Sequence, residues 1–383
     1  MYSSLVDLIR SIYNTPQGYI SLHEPRFFGN EKKYVLDCID STFVSSSGKY
    51  VDRVGELICE ITGAKYAVPI VNGTCALHLS LVVAGVKRDD EVLTQPLTFV
   101  ATSNAISYTG ATPHFVDVDR ETMGMSPTLL KNYLREIAEI RTGSCYNKKT
   151  GKRISACLPM HSFGLPLFID DLAEVCAEFN IVLIEDAAES IGTTYKGKHT
   201  GRFGKMGTFS FNGNKTVTSG GGGAIITDDA TIATQLKHLS TQAKIPHKYE
   251  YNHDQIGYNY RIPNINAALA CAQLEQLDAF VKDKREIAET YHHHLEKLTG
   301  ISSIKEISSS FSNYWLNAVM LNSRQKRDEF LEYMSSKDIM VRPVWNLMNH
   351  LEMFKQSPSS SLENSEFLAD RVVNIPSSVR IKK

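Results

Sequence analysis

The stretch FSFNGNKTVTSGGGGAI, residues 209–225, decides how the rest of this chain is read. A single cation, Lys215, follows Asn212 and Asn214 and precedes four consecutive glycines, 220–223; apolar β-type residues flank both ends. The pattern reads as two strands joined by a tight connection. A lysine at a buried strand end loses hydration and becomes a nucleophilic amine; a lysine in a surface turn has the same local sequence. The glycines let backbone approach a bulky ligand closely, or they form a plain flexible loop.

Outward from this stretch, apolar runs alternate with helical segments. YAVPIV (66–71), DEVLTQ (90–95), TPHFVDVD (112–119), the run from Ile154, IVLIEDAAES (181–190), GTFSFNG (207–213) and GGAIITDD (222–229) read as strands. Helical patterning covers 32–41, 51–62, 74–85 with Gly85 as its stop, 98–110 and 169–180. The alternation predicts an α/β fold, a mostly parallel mixed sheet covered by helices on both faces. IRTGSCYNKKTGKR (140–153) is polar and turn-rich and is expected as an exposed excursion. Beyond residue 245 the pattern changes. Residues 264–298 read as one long or broken helix, and YWLNAVML (314–321) and DIMVRPVW (338–345) as strands of a smaller C-terminal α+β domain. The expected division is an N-terminal arm, 1–30, a large domain, 31–245, and a small domain, 246–383.

Lys+Arg is 41 and Asp+Glu is 42, so no net field favours nucleic acid or an anionic membrane. Seven cysteines are scattered without a C-x-x-C pair, which suits free thiols in a reducing compartment. No basic segment followed by a long apolar stretch opens the chain, and no apolar run reaches the ~18 residues of a membrane span. A cytoplasmic protein is expected. Three adjacent histidines, 292–294, point in different directions on a helix and cannot share one metal.

Candidate chemistry gathers at strand ends, where ligands collect in open α/β sheets. In VNGTCAL a strand gives way through Gly73 to a helix opening at Thr74, so free amides and the helix dipole meet an anion there, or Thr74 is simply a cap. Asp186 and Glu189 close a very apolar strand, where a carboxylate needs a partner or a cap role. Together with Lys215, these are the parts that hold pyridoxal 5′-phosphate (PLP): an amine for its aldehyde, an acid for its ring nitrogen, a helix end for its phosphate.

These residues sit within VNGTCALHLSL, QPLTFVATSNAISYTGATPHFVDVD, PMHSFG, IEDAAESIGTTYKGKHTGRFGKMGTFSFNGNK, GGGGAIITDD and GYNYRIPNINAALACAQL. In that order the chain resembles, over nearly its whole length, the fold-type-I PLP aminotransferases of nucleotide-linked keto sugars, the DegT/DnrJ/EryC1/StrS family. The resemblance implies that Lys215 is the Schiff-base lysine, Asp186 the pyridine-nitrogen partner and Glu189 a neighbour of the ring hydroxyl. Gly73, Thr74 and Ser210 match phosphate contacts, and Phe99 the aromatic that stacks on the ring. Asn259 matches a residue reaching the phosphate from a neighbouring subunit, which implies a homodimer with shared sites. His161, Arg342, Trp345 and the segment 198–204 match positions lining the substrate. Some members carry histidine in place of the lysine and are dehydratases; Lys215 favours transamination. The segments 22–51, 145–153 and 210–223 look most like the branch serving legionaminic acid and bacillosamine pathways. That branch implies a UDP-linked 2-acetamido-2,6-dideoxy-4-keto hexose as substrate and L-glutamate as donor. The alternatives are a GDP- or dTDP-linked sugar, or a non-catalytic protein that binds PLP or a sugar phosphate.

Overall fold

Seven strands in one sheet form the frame of the molecule. In the computed structural model, which describes residues 2–380, they are β1 (Tyr66–Ile70), β2 (Glu91–Thr94), β3 (Thr112–Phe115), β4 (Ile154–Cys157), β5 (Val182–Asp186), β6 (Met206–Ser210) and β7 (Gly223–Thr227). Their order is β1-β7-β6-β5-β4-β2-β3. Only β7 runs against the rest, antiparallel to both β1 and β6; the other neighbours are parallel. The mostly parallel mixed sheet is therefore as expected. Every position of β2, β4, β6 and β7 is buried, because helices cover both faces and a strand shielded on two sides is apolar throughout.

The parallel strands and β1 all end at one edge of the sheet. Helices α1 (Tyr2–Ile12), α2 (Glu31–Asp40), α3 (Lys49–Thr62), α4 (Gly73–Val83) and α5 (Val100–Tyr108) precede or flank the first strands. Asn72 caps α4 by accepting the Cys75 amide at 2.8 Å, and Gly85 ends the segment with φ +79°, a conformation that a side chain disfavours. Helices α6 (Pro127–Ile137), α7 (Ile169–Glu178) and α8 (Ala230–Ser240) complete the first half.

Two segments differ from the sequence reading, 140–153 and 338–345. The segment 140–153 is no loose excursion: Ala138–Arg141 and Ser144–Asn147 form an antiparallel hairpin. Asn147 and Thr150 there donate to the buried Glu91 carboxylate at 2.9 and 2.6 Å. The helical run, read as long or broken, is broken at residues 275–276 into α9 (Asn264–Leu274) and α10 (Leu277–Leu295). α9 packs with α2 and α3 in one apolar cluster that includes Ile58, Phe209, Ala267 and Cys271. α1, at the start of the expected arm, buries Leu5, Val6 and Ile9 against Ile287, Tyr291 and Phe330.

The C-terminal sheet joins β8 (Ile301–Ser303), β9 (Asn317–Leu321), β10 (Arg342–Pro343) and β11 (Val372–Ile375) in the order β8-β9-β11-β10. Of the stretch 338–345, only Arg342 and Pro343 pair as a strand. Among the described residues, no helix is long and apolar enough to cross a membrane.

Candidate active site

Because the strands of this sheet end together, residues far apart in sequence meet beyond their carboxyl ends. Lys215 follows β6, and its Nζ lies 3.0 Å from Glu189 Oε1, just beyond β5. The same Nζ sits 3.9 Å from the centroid of the Trp315 ring. Asp186, the last residue of β5, is buried; its carboxylate accepts the Thr102 hydroxyl at 2.8 Å and the Ala188 amide at 3.1 Å.

Burial sets the electrostatics of both acids. Loss of hydration pushes Asp186 above the ordinary carboxylate range, against the pull of the Thr102 hydrogen bond. Burial likewise raises Glu189 to about 7, although Lys215 and the Phe163 amide favour its charged form. Phe163 donates that amide to Glu189 Oε2 at 2.8 Å. To do so it adopts φ +59°, rare for a side chain of its size. Its ring stacks on Trp345 with centroids 4.8 Å apart, which helps to hold the conformation.

The anion cradle lies at the head of α4. The first amides of a helix have no acceptor within it, and those of Gly73 and Thr74 begin α4 beside Ser210. A Cβ at Gly73 would come 2.8 Å from Ser210 Cβ; one at Gly223 would lie 2.8 Å from the Asn72 carbonyl carbon and 2.9 Å from the Gly73 nitrogen. Only glycines let these three backbones converge. Phe99, at the start of α5, leaves half its surface exposed at 50% and is not a core phenylalanine.

Other expected site residues lie elsewhere or apart. His161 is fully buried; its Nε2 is 3.0 Å from Glu185 Oε2, and its Nδ1 accepts the Leu167 amide at 3.4 Å. It does not line an open site. Neighbouring strand residues point to opposite faces, so a histidine held by Glu185 is turned away from the face of Asp186. The segment 198–204 is diverted for the same reason: the amides of Gly201, Phe203 and Gly204 all donate to Glu185. Arg342 is exposed on β10, and Trp345 is half-buried in the Phe163 cluster. Asn259 is exposed and makes a backbone bridge with Thr241. Thr102, Phe163 and Trp315 were not among the expected site residues; no local motif marks them, and only the fold brings them to Asp186, Glu189 and Lys215.

An amine, two carboxyls raised by burial and the glycine-rich head of α4 thus gather at one sheet edge as a candidate active site. Residues 27–383 match the DegT/DnrJ/EryC1/StrS aminotransferase family. Across 359 residues the chain is 38% identical to the GDP-perosamine synthase of Escherichia coli O157:H7, covering 94% of this chain and 93% of the relative. The GDP-perosamine synthase of Vibrio cholerae is 36% identical, with 94% of each chain covered. Among solved structures, Spr1654 of Streptococcus pneumoniae in its PLP form superposes with a TM-score of 0.83 at 20% identity, over 94% of each chain. This chain belongs to the DegT/DnrJ/EryC1/StrS family of sugar aminotransferases, and its cofactor is PLP. The residues present fit that group, since the unpaired first amides of α4 at Gly73 and Thr74 lie beside Ser210 while Lys215 and Asp186 stand on the same edge.

Proposed function

We propose that the protein transfers an amino group to the C4 keto carbon of a GDP-linked sugar, with L-glutamate as donor. The observation that carries the reaction is the contact of Lys215 Nζ with Glu189 at the carboxyl edge of the sheet, above Asp186. The GDP link rests on similarity to the two GDP-perosamine synthases. It replaces the UDP-linked substrate of the legionaminic acid and bacillosamine branch as the leading expectation.

Bound PLP supplies an aldehyde that carries the amino group and a ring that draws electrons from the reacting carbon. The amides of Gly73 and Thr74 and the Ser210 hydroxyl would hold the phosphate, and the exposed Phe99 would cover the ring. Asp186 keeps a proton on the ring nitrogen. Lys215 would carry a proton away from the donor's α-carbon and later deliver one to the sugar's C4. An amine is suited to this because it accepts and gives the same proton within one site. The exposed Arg342 and the half-buried Trp345, which stacks on Phe163, are the proposed contacts to the nucleotide sugar.

The test is a panel of GDP-, UDP- and dTDP-linked 4-keto-6-deoxy sugars, with L-glutamate and mass detection of the amino sugar. Turnover with the GDP sugar should exceed the others by roughly a hundredfold or more, since a pocket that pairs with one base leaves its polar groups unpaired with another. Preference for a UDP sugar would return the reading to its first form.

A homodimer is part of the proposal. The hairpin of Lys244–Ile245 and Asn252–His253 stands out from the fold with Tyr249, Tyr251 and Ile256 at 76, 80 and 86% exposure, beside Asn259. Apolar side chains this exposed mark an interaction surface, and a second copy is the occupant that lets Asn259 reach a phosphate. Sedimentation should give twice the 42.8 kDa chain mass, and Ile256→Lys should shift the population towards monomer. A wild-type monomer at micromolar concentration would rule the shared site out.

A further inference from the structure

Trp315 is wired to both sides of Lys215. Its ring centroid is 3.9 Å from Nζ, and its indole Nε1 donates to the carbonyl of Asn214, the preceding residue, at 2.6 Å. The Trp315 amide donates to Asn313 Oδ1 at 2.8 Å; Asn313 Nδ2 in turn donates to the carbonyls of Glu189 and Ile191, each at 2.9 Å. Behind the indole, the fully buried Lys284 donates to the Trp315 carbonyl at 3.0 Å. The residue is 5% exposed. A buried tryptophan could fill this space in any orientation; this one is tied by backbone and side chain so that its electron-rich face meets the amine.

We propose that Trp315 is a positioning residue that holds unbonded Lys215 as an ammonium between the indole face and Glu189. The inference rests on the reading of Lys215 as the residue that bonds PLP. An aromatic face favours a cation over the neutral amine, so the indole keeps a proton on Nζ between its two transfers and keeps the side chain from swinging away. The groups facing Nζ are Glu189 at 3.0 Å, with Asp186 and His23 acting on it through space; all three remain when Trp315 is changed.

The test follows capture of added PLP by cofactor-free protein as a function of pH. In capture, Lys215 sheds one proton from the ammonium, the neutral nitrogen bonds to the aldehyde carbon, and the oxygen leaves as water with the two remaining nitrogen protons. Trp315→Leu should lower the pH of half-maximal capture rate by about half a unit to one unit, the three- to tenfold change expected of one cation–ring contact. Trp315→Phe, which keeps a ring face, should restore most of the shift. Trp315 and Trp345 are the only tryptophans, so 5-fluorotryptophan incorporated into Trp345→Phe protein weakens the face at position 315 alone, without the risk of misfolding at that position. It should move the profile in the same direction as leucine. An unmoved profile in the fluorinated protein, or an upward shift with leucine, overturns the proposal. Borohydride reduction of wild-type protein separates the two ideas. Label on the Lys215 peptide with an insensitive profile rejects only the role of Trp315, whereas no label there removes the reading of Lys215 and this inference with it.

Discussion

Lys215→Ala should lower amino transfer at least about a thousandfold, the upper range for losing a positioned acid–base group together with a nucleophile. The fold should survive. The side chain is 13% exposed and stands beyond the end of β6, and its loss opens no core cavity. Glu189 then loses its cation, and its carboxyl, raised already by burial, will hold its proton to still higher pH. The variant should therefore bind pyridoxamine 5′-phosphate through the cradle at Gly73 and Ser210, yet show no borohydride-stable label after addition of PLP. Mass analysis of the peptide containing residue 215 reads this directly. Label retained elsewhere together with retained turnover would show that another amine does the chemistry.

Asp186→Asn separates catalysis from stability. Transfer should fall on the order of a hundred- to thousandfold, because a neutral amide no longer keeps the ring nitrogen protonated. The cofactor-free protein should become more stable above neutral pH, since asparagine can still hydrogen-bond Thr102 and Ala188 but carries no buried charge. The sign follows from the raised folded-state values of Asp186 and Glu189. For Glu189, between its ordinary 4.5 and about 7, the folded chain keeps a proton that the unfolded chain has released. The contribution of Glu189 to the stability of the cofactor-free protein therefore falls as pH rises through that window and stays lower above it, by roughly 3 kcal/mol at most. Asp186 adds a fall of the same sign, beginning at the ordinary aspartate value. The histidines His23, His78, His199 and His292, kept neutral by loss of hydration, contribute a rise of the opposite sign up to about their ordinary 6.5, so the readout is the difference between the two proteins. In thermal melts from pH 5 to 8, Asp186→Asn should gain stability relative to wild type as pH rises. A relative loss in the variant would mean that Asp186 is charged and stabilising in the cofactor-free protein.

How far the sequence reached depended on whether a residue's setting is local. The strands that end at Ile70, Asp186 and Ser210 were legible, though read as 66–71, 181–190 and 207–213, because a run of apolar residues followed by glycine or acid has few other ways to fold. Gly73 was read as a turn glycine and the run 220–223 as either a plain loop or a close approach to a ligand; that Gly73 admits Ser210 and Gly223 the backbone at Asn72 and Gly73 was not legible. His161 and the segment 198–204 misled because they follow strands as ligand-binding segments do. A charge that must be satisfied, that of Glu185, lies one residue from Asp186 on the opposite face of β5 and takes them instead. The 140–153 hairpin was missed in the same way: its polar residues satisfy the buried Glu91, and a sequence of donors does not reveal whether water or a carboxylate accepts from them.

By itself the sequence determined the α/β alternation and the placing of Lys215 and Asp186 at strand ends, since periodicity and strand ends are properties of contiguous residues. Tertiary structure alone decided that Thr102, Phe163 and Trp315 surround that pair, that His161 faces away, and that Glu189 is buried deeply enough to titrate near neutrality. Those outcomes depend on which distant segments exclude water from a charge, and hydration is lost only when the chain has closed around it.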